Sequence, residues 1–165
     1  MLHDYRNSKE LVSVELVQRI MLKRALEKVP SGYNEHPVYL DRVMAAEFKL
    51  KNRHENSSEA LTIFSQVYYN YRGHLLKMKN CNSQLFKSHI KGEDSYDCGG
   101  PMRDIVSNMC EELMSDVLPI LVPTANNVAN VEPNADCFTL NPKAEQPFVL
   151  QKILFLGYLL GWSLY

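Results

Sequence analysis

The sequence predicts an α+β fold in which helices dominate, with about four or five helices around a small set of short strands. Three segments carry apolar residues at spacings of three and four, which is typical of helices with one buried face: 8–29, 59–71 and 101–113. Three short apolar or alternating runs end at polar or turn-forming residues and indicate strands: 38–40, 86–90 and 137–140. A chain of 165 residues fits one domain or a large piece of one.

The composition and the charge are those of an ordinary soluble protein. The chain is 45% hydrophobic and 22% charged, with a formal net charge of −1 and with scattered Lys and Arg residues. This balance gives no electrostatic reason to expect a nucleic-acid partner. The first residues do not place a basic stretch before an apolar one, so no secretory signal is predicted and we expect a cytoplasmic protein.

The cysteines do not predict a metal site. They are Cys81, Cys98, Cys110 and Cys137; none forms a C-x-x-C pair, and no two have zinc-finger spacing with the histidines. We therefore expect reduced thiols in an intracellular protein, with no metal and no cofactor.

In the first half of the chain, segments that predict a helix or a strand alternate with segments whose pattern does not decide the secondary structure. Ser8 suits the N-cap of the first helix, and the Pro-Ser-Gly run at 30–32 ends it. Residues 41–50 do not separate helix from strand, and 51–58 read as a polar surface loop. Asn56 stands three residues before Glu59 in a loose capping box, from which a helix runs to about residue 71.

In the second half, a strand at 86–90 should place Phe86 and Ile90 on one side and His89 on the other. Glu111 and Glu112 lie near the carboxyl end of the helix that follows, where they oppose its dipole and need compensation. An apolar run at 118–122 predicts a buried strand, 124–136 a long loop or a poorly paired hairpin, and 137–140 a short strand.

The last segment, 147–165, predicts a buried helix rather than a membrane span. Residues 153–165 are almost wholly apolar, but the run is shorter than the roughly 20 residues that a span needs. Gly157 and Gly161 lie one turn apart and would let the helix approach a neighbour closely. A tail-anchored membrane protein is the alternative.

The sharpest local signal is the turn Asp97-Cys98-Gly99-Gly100-Pro101, which demands an unusual backbone and then begins a helix. The residues predicted to shape this structural turn are Glu93, Asp97, Gly99, Gly100 and Arg103. Two carboxylates near an arginine suit either an acid/base site or a charge clamp, and we expect the clamp. Cys98 before a helix start could pair with His89 as a reactive thiol, but a small residue filling a tight turn is the simpler interpretation. No catalytic residue is predicted.

Four motifs, taken in order, resemble the first part of the HECT domain, the catalytic domain of HECT-type E3 ubiquitin ligases. They are F-K-S-H-I-K-G-E at 86–93, D-C-G-G-P-x-R at 97–103, N-P at 141–142 and F-L-G-Y-L-L-G at 155–161. The run M-C-E-E-L at 109–113, followed by L-P-I-L-V-P at 118–123, is most similar to the large HERC proteins. Cys98 replaces the alanine usual at that place in the family.

The resemblance implies a fold, a mechanism and partners. It makes 36–165 the N-terminal part of a HECT domain, a partial N-lobe, and 1–35 an upstream helical segment. The complete domain would take ubiquitin from an E2 as a thioester and pass it to substrate lysines. Because the thioester cysteine of the family lies in a C-lobe that this chain does not include, we expect this chain alone to be inactive. The alternative is a non-catalytic helical module that binds a partner protein through an exposed apolar face.

Overall fold

The computed structural model describes residues 14–27, 37–51, 61–73, 86–93 and 100–162 of the chain. Its elements follow in this order: α1 (Val14–Leu26), β1 (Val38–Leu40), α2 (Arg42–Leu50), α3 (Ile63–Tyr71), β2 (Ser88–Ile90), α4 (Gly100–Leu113), β3 (Leu121–Pro123), α5 (Ala125–Ala129), β4 (Phe138–Leu140) and α6 (Pro147–Trp162). The expected α+β class with dominant helices is confirmed. The expected ends of the first helix, the loop at 52–58 and the start of a helix at Asn56 lie outside the described residues.

β1 and β2 form a parallel two-stranded ribbon in which Tyr39 lies opposite His89. Ser88 and Ile90 of β2 are buried while His89 is exposed, and β1 shows the same alternation. This confirms the sidedness that the sequence predicts for 86–90. Period-two burial follows because successive side chains of a strand point to opposite faces of the sheet.

α2 forms where the apolar pattern left the secondary structure open. The Asp41 carboxylate caps it by accepting a hydrogen bond of 3.0 Å from the backbone N–H of Met44. Ala45 and Phe48 are buried, but Leu50 is 82% exposed. Because apolar residues also occupy the exposed face, the apolar spacing does not indicate a helix clearly. The N-cap residue Asp41 is the better indication that a helix starts here.

Two amide side chains of α3 bind the outer edge of β1. Asn70 accepts a hydrogen bond from the N–H of Tyr39 and donates one to its carbonyl, at 3.3 and 3.2 Å. Gln66 does the same for Asp41, at 2.7 and 3.1 Å. These side chains, one helical turn apart, satisfy backbone groups that an edge strand would otherwise leave to solvent or to another chain.

The core gathers on the inner sides of the ribbon, α3, α4 and α6. Its fully or nearly fully buried members include Val38, Phe64, Val67, Tyr71, Phe86, Ile105, Leu118, Ile120 and Phe155. The ring of Phe64 meets that of Phe155 in an edge-to-face contact with centroids 5.5 Å apart. This contact joins α3 to α6.

The segment between α4 and α6 differs in part from the expectation. The predicted strand at 118–122 is wrong in its bounds, because Leu118 and Ile120 are buried in turns and only β3 is extended. The segment 124–136, expected as a long loop or a poorly paired hairpin, contains the short helix α5 and connects the antiparallel strands β3 and β4. α5 ends at Asn130, which takes the left-handed conformation (φ 52°) that asparagine tolerates.

The Asn-Pro motif after β4 has a structural role. The Asn141 side chain donates to the carbonyl of Pro119 at 3.2 Å and accepts from the N–H of Lys143 at 2.9 Å. The N–H of Asn141 also binds the carbonyl of Ile120 at 2.9 Å. The residue therefore ties the hairpin to the turns that precede it and leads the chain toward α6.

The expectation of a fully buried last helix is corrected: α6 has one buried and one exposed face. Val149 and Phe155 face the core, whereas Leu150 and Leu154 are 52% and 58% exposed. A methyl group added at Gly157 or Gly161 would meet no described residue within 4 Å, so these glycines mediate no close contact with another described helix. No helix within the described ranges combines the length and the apolar character needed to cross a membrane.

Candidate functional site

An arginine that the sequence analysis did not select connects the residue after β2 to the first turn of α4. Arg42, the first residue of α2, forms ion pairs with Glu93 after β2 (3.6 Å) and with Asp104 in the first turn of α4. We call these three residues the Arg42 clamp. It connects the residue that follows β2 to the first turn of α4. The clamp expected from Glu93, Asp97 and Arg103 stays a prediction.

The predicted turn residues are only partly described. Glu93 belongs to the Arg42 clamp, and Gly100 is the first residue of α4. Arg103 is exposed and has no ion pair with another described residue. Asp97 and Gly99 lie outside the described residues, so their place in the turn stays a prediction. Arg42 carries no local signal, because Asp104 is 62 positions away in the sequence.

Asp41 connects α2 to the ribbon. Its carboxylate accepts a hydrogen bond of 2.8 Å from the ammonium group of Lys91, next to β2, while it also caps α2. The bond from Lys91 and the N–H of Met44 both favour the ionised carboxyl, so the pKa of Asp41 lies below its ordinary value of 3.8. The same bond raises the pKa of Lys91 above 10.5.

The outer face of the ribbon exposes a pair of rings. Tyr39, 64% exposed, stacks on His89 with centroids 5.4 Å apart and ring planes 18° apart. The imidazole of His89 is thus engaged with an aromatic ring, and the suggested partner Cys98 lies outside the described residues. No described residue supports the reactive-thiol hypothesis.

A cluster of polar groups lies at the start of α3, and all of its residues except the partly exposed Lys49 are buried. We call it the polar junction; it comprises Lys49, Thr62, Ile63, Phe64, Ser65, Glu112 and Lys152. The wholly buried Glu112 carboxylate of α4 accepts hydrogen bonds from the backbone N–H groups of Ile63 (3.0 Å) and Phe64 (2.7 Å). Lys49 of α2 adds an ion pair at 3.4 Å. The first N–H groups of a helix have no partner within it and carry partial positive charge, so they suit a carboxylate.

Two further bonds complete the polar junction. The Thr62 hydroxyl caps α3 by accepting from the N–H of Ser65 at 3.1 Å, and the Ser65 hydroxyl accepts from the buried ammonium group of Lys152 in α6 at 2.8 Å. The start of α3 therefore contacts α2, α4 and α6 through polar groups. The unfavourable position of Glu112 at the carboxyl end of α4 is compensated by N–H groups of another helix, α3. Glu111 is exposed to solvent.

The described residues do not assemble a reaction centre. Cys110 on α4 is exposed, and Cys137 lies 3.9 Å from the Asp136 carboxylate, which cannot act as the cationic partner that lowers a thiol pKa. The described ranges contain no group of three metal-binding side chains.

Comparison with known proteins finds partial relatives. The chain is 36% identical over 78 residues to the E3 ubiquitin-protein ligase HERC2 of Mus musculus, and equally to that of Homo sapiens. The match covers 47% of this chain and 2% of each relative, so the chain spans only a small part of their length. No protein-family model matches the chain. No solved structure matches it.

Proposed function

We propose that this chain is the early N-lobe of a HECT domain in an E3 ubiquitin ligase. The single observation that carries the proposal is the 36% identity to an E3 ubiquitin-protein ligase over 78 residues. The order of the F-K-S-H-I-K-G-E, D-C-G-G-P, N-P and F-L-G-Y-L-L-G motifs adds to it. β2 before the second motif and α4, which starts within it, are compatible with a structural role for that motif.

In this proposal the complete domain receives ubiquitin from an E2 as a thioester and transfers it to a substrate lysine in the cytoplasm. The residues of this chain supply the frame: the Arg42 clamp fixes the turn, and the polar junction fixes α3 against its neighbours. The thioester cysteine lies outside residues 1–165. This agrees with the exposed Cys110 and with Cys137, neither of which has a basic partner among the described residues.

A thioester-trapping assay with ubiquitin, E1 and a panel of E2 enzymes tests the proposal. We expect a reducible ubiquitin adduct on the longest natural product that contains this sequence, and none on the 165-residue chain alone. Any E2 that charges the longer product is then offered to the short chain at equal concentration. A reducible adduct on Cys98 of the short chain would overturn the assignment.

A non-catalytic interaction module is the second candidate. It is favoured by the outer face of α6, where Leu150 and Leu154 are each more than half exposed. Under this alternative the longest natural product forms no ubiquitin thioester with any E2. The same assay therefore separates the two candidates.

A further inference from the structure

Lys49 is partly exposed to solvent, but it forms an ion pair with the buried carboxylate of Glu112. Its side chain is 35% exposed, while the side chain of its partner Glu112 is 0% exposed. The two charged atoms are 3.4 Å apart. Solvent therefore reaches part of the Lys49 side chain, although the carboxylate with which it pairs is wholly buried.

The Glu112 carboxylate connects Lys49 to α3, because it pairs with Lys49 and also accepts hydrogen bonds from the start of α3. It accepts the N–H groups of Ile63 and Phe64 at 3.0 and 2.7 Å. Lys49 is its ion-pair partner among the described residues. Removal of one partner from a buried pair is costly, because the remaining charge stays out of water without compensation. The first turn of α3 should therefore respond to the charge state of Lys49.

We propose that Lys49 is an acylation site that acts as a charge switch on the start of α3. The deprotonated Nζ attacks the carbonyl carbon of an acyl thioester; the amide N–C bond forms, the C–S bond breaks and the leaving thiolate takes up a proton. The product side chain is neutral. Glu112 then loses its cation, and the hydrogen bonds to Ile63 and Phe64 open more often.

Lys51 is the matched control within the same segment. It lies two residues further on and pairs at 3.7 Å with Glu47, but both side chains of that pair are more than half exposed. Both lysines lie at the carboxyl end of α2, so an effect on the helix dipole is common to both. Ion pairs between exposed side chains contribute little, so neutral Lys51 should leave α3 unchanged.

Amide hydrogen exchange of the full chain, read at Ile63 and Phe64, tests the switch. Lys49→Gln should speed exchange at both amides by about tenfold, because a hydrogen-bonded charge pair is lost. Lys49→Arg keeps the charge and should stay within roughly twofold of wild type, as should Lys51→Gln. Equal exchange rates in Lys49→Gln and Lys51→Gln would overturn the proposal.

Acetylation of the wild-type chain supplies a second measurement that needs no substitution. The chain is incubated with acetyl-coenzyme A at about pH 8, where lysine is partly deprotonated, and each modified lysine is identified by mass spectrometry. Molecules acetylated at Lys49 should exchange faster at Phe64 than molecules acetylated at Lys51 alone. The proposal fails if Lys49 stays unmodified, or if its acetylation leaves Phe64 exchange unchanged.

Discussion

Glu112 and Phe64 are joined by a hydrogen bond of 2.7 Å between the carboxylate of α4 and the first-turn N–H of α3, and both residues are wholly buried. A carboxylate in that position takes the place of solvent for helix donors that have no partner within the helix. It also explains how a glutamate near the unfavourable end of its own helix is tolerated. The start of α3 supplies the positive potential that the end of α4 lacks.

Glu112→Gln should destabilise the fold. The amide keeps the shape but loses the charge, and it brings a donor toward backbone donors. We expect a loss of about 2 to 3 kcal/mol in the free energy of unfolding, the range for hydrogen bonds to a charged group. Urea unfolding measures it. The adjacent Glu111→Gln is the control and should change stability by less than about 0.5 kcal/mol, because Glu111 is exposed. Equal losses of stability in both variants would contradict a stabilising role for the buried Glu112 carboxylate.

Arg42→Lys should lower the free energy of unfolding by weakening the ion pairs with Glu93 and Asp104. One guanidinium reaches both Glu93 and Asp104, whereas a single ammonium group does not match that fork geometry. Because all three side chains are partly exposed, the loss should be small, about 0.5 to 1 kcal/mol. Urea unfolding at low and high salt measures it. The salt dependence of the wild type should exceed that of the variant, and identical salt dependence would contradict the account.

Asn70→Ala should open the outer edge of β1. The variant loses both hydrogen bonds to the backbone of Tyr39. We expect amide exchange at Tyr39 to rise by roughly two- to tenfold, the equivalent of one ordinary hydrogen bond. Asn108→Ala is the control, since that side chain binds only a carbonyl within its own helix among the described residues. If the Tyr39 amide exchanged equally fast in both variants, Asn70 would not protect this edge.

Lys91→Gln should change the pH dependence of stability. The pKa of Asp41 is lower in the folded chain than its ordinary value of 3.8, so the bond stabilises the fold above about pH 3.8. That stabilisation is lost as the pH falls through the lowered pKa and the carboxyl is protonated. The stability difference between wild type and Lys91→Gln, followed by urea unfolding, should therefore shrink below about pH 3.8. A difference that stays constant to about pH 2 would contradict this.

Local patterns predicted most of the elements but little of the polar site. The alternation at 86–90 and the helix starting near Pro101 follow from residue spacing alone, and both are present in the structure. The bonds of Glu112 to Ile63 and Phe64 span 49 and 48 positions, so no local period reports them. The same holds for Arg42. The sequence left residues 41–50 open between helix and strand because the exposed face of α2 carries Val43 and Leu50. It overestimated the burial of α6 because apolar residues also occupy the outer face of that helix.

Formation of the ubiquitin thioester without the cysteines of this chain is the most direct test of the proposed function. The longest natural product carrying Ser at Cys81, Cys98, Cys110 and Cys137 is charged with ubiquitin by E1 and E2, alongside wild type. We predict a reducible adduct at the wild-type level, because the acceptor cysteine lies outside residues 1–165. Loss of the adduct in a single Cys98→Ala variant that keeps the wild-type unfolding midpoint would contradict the account.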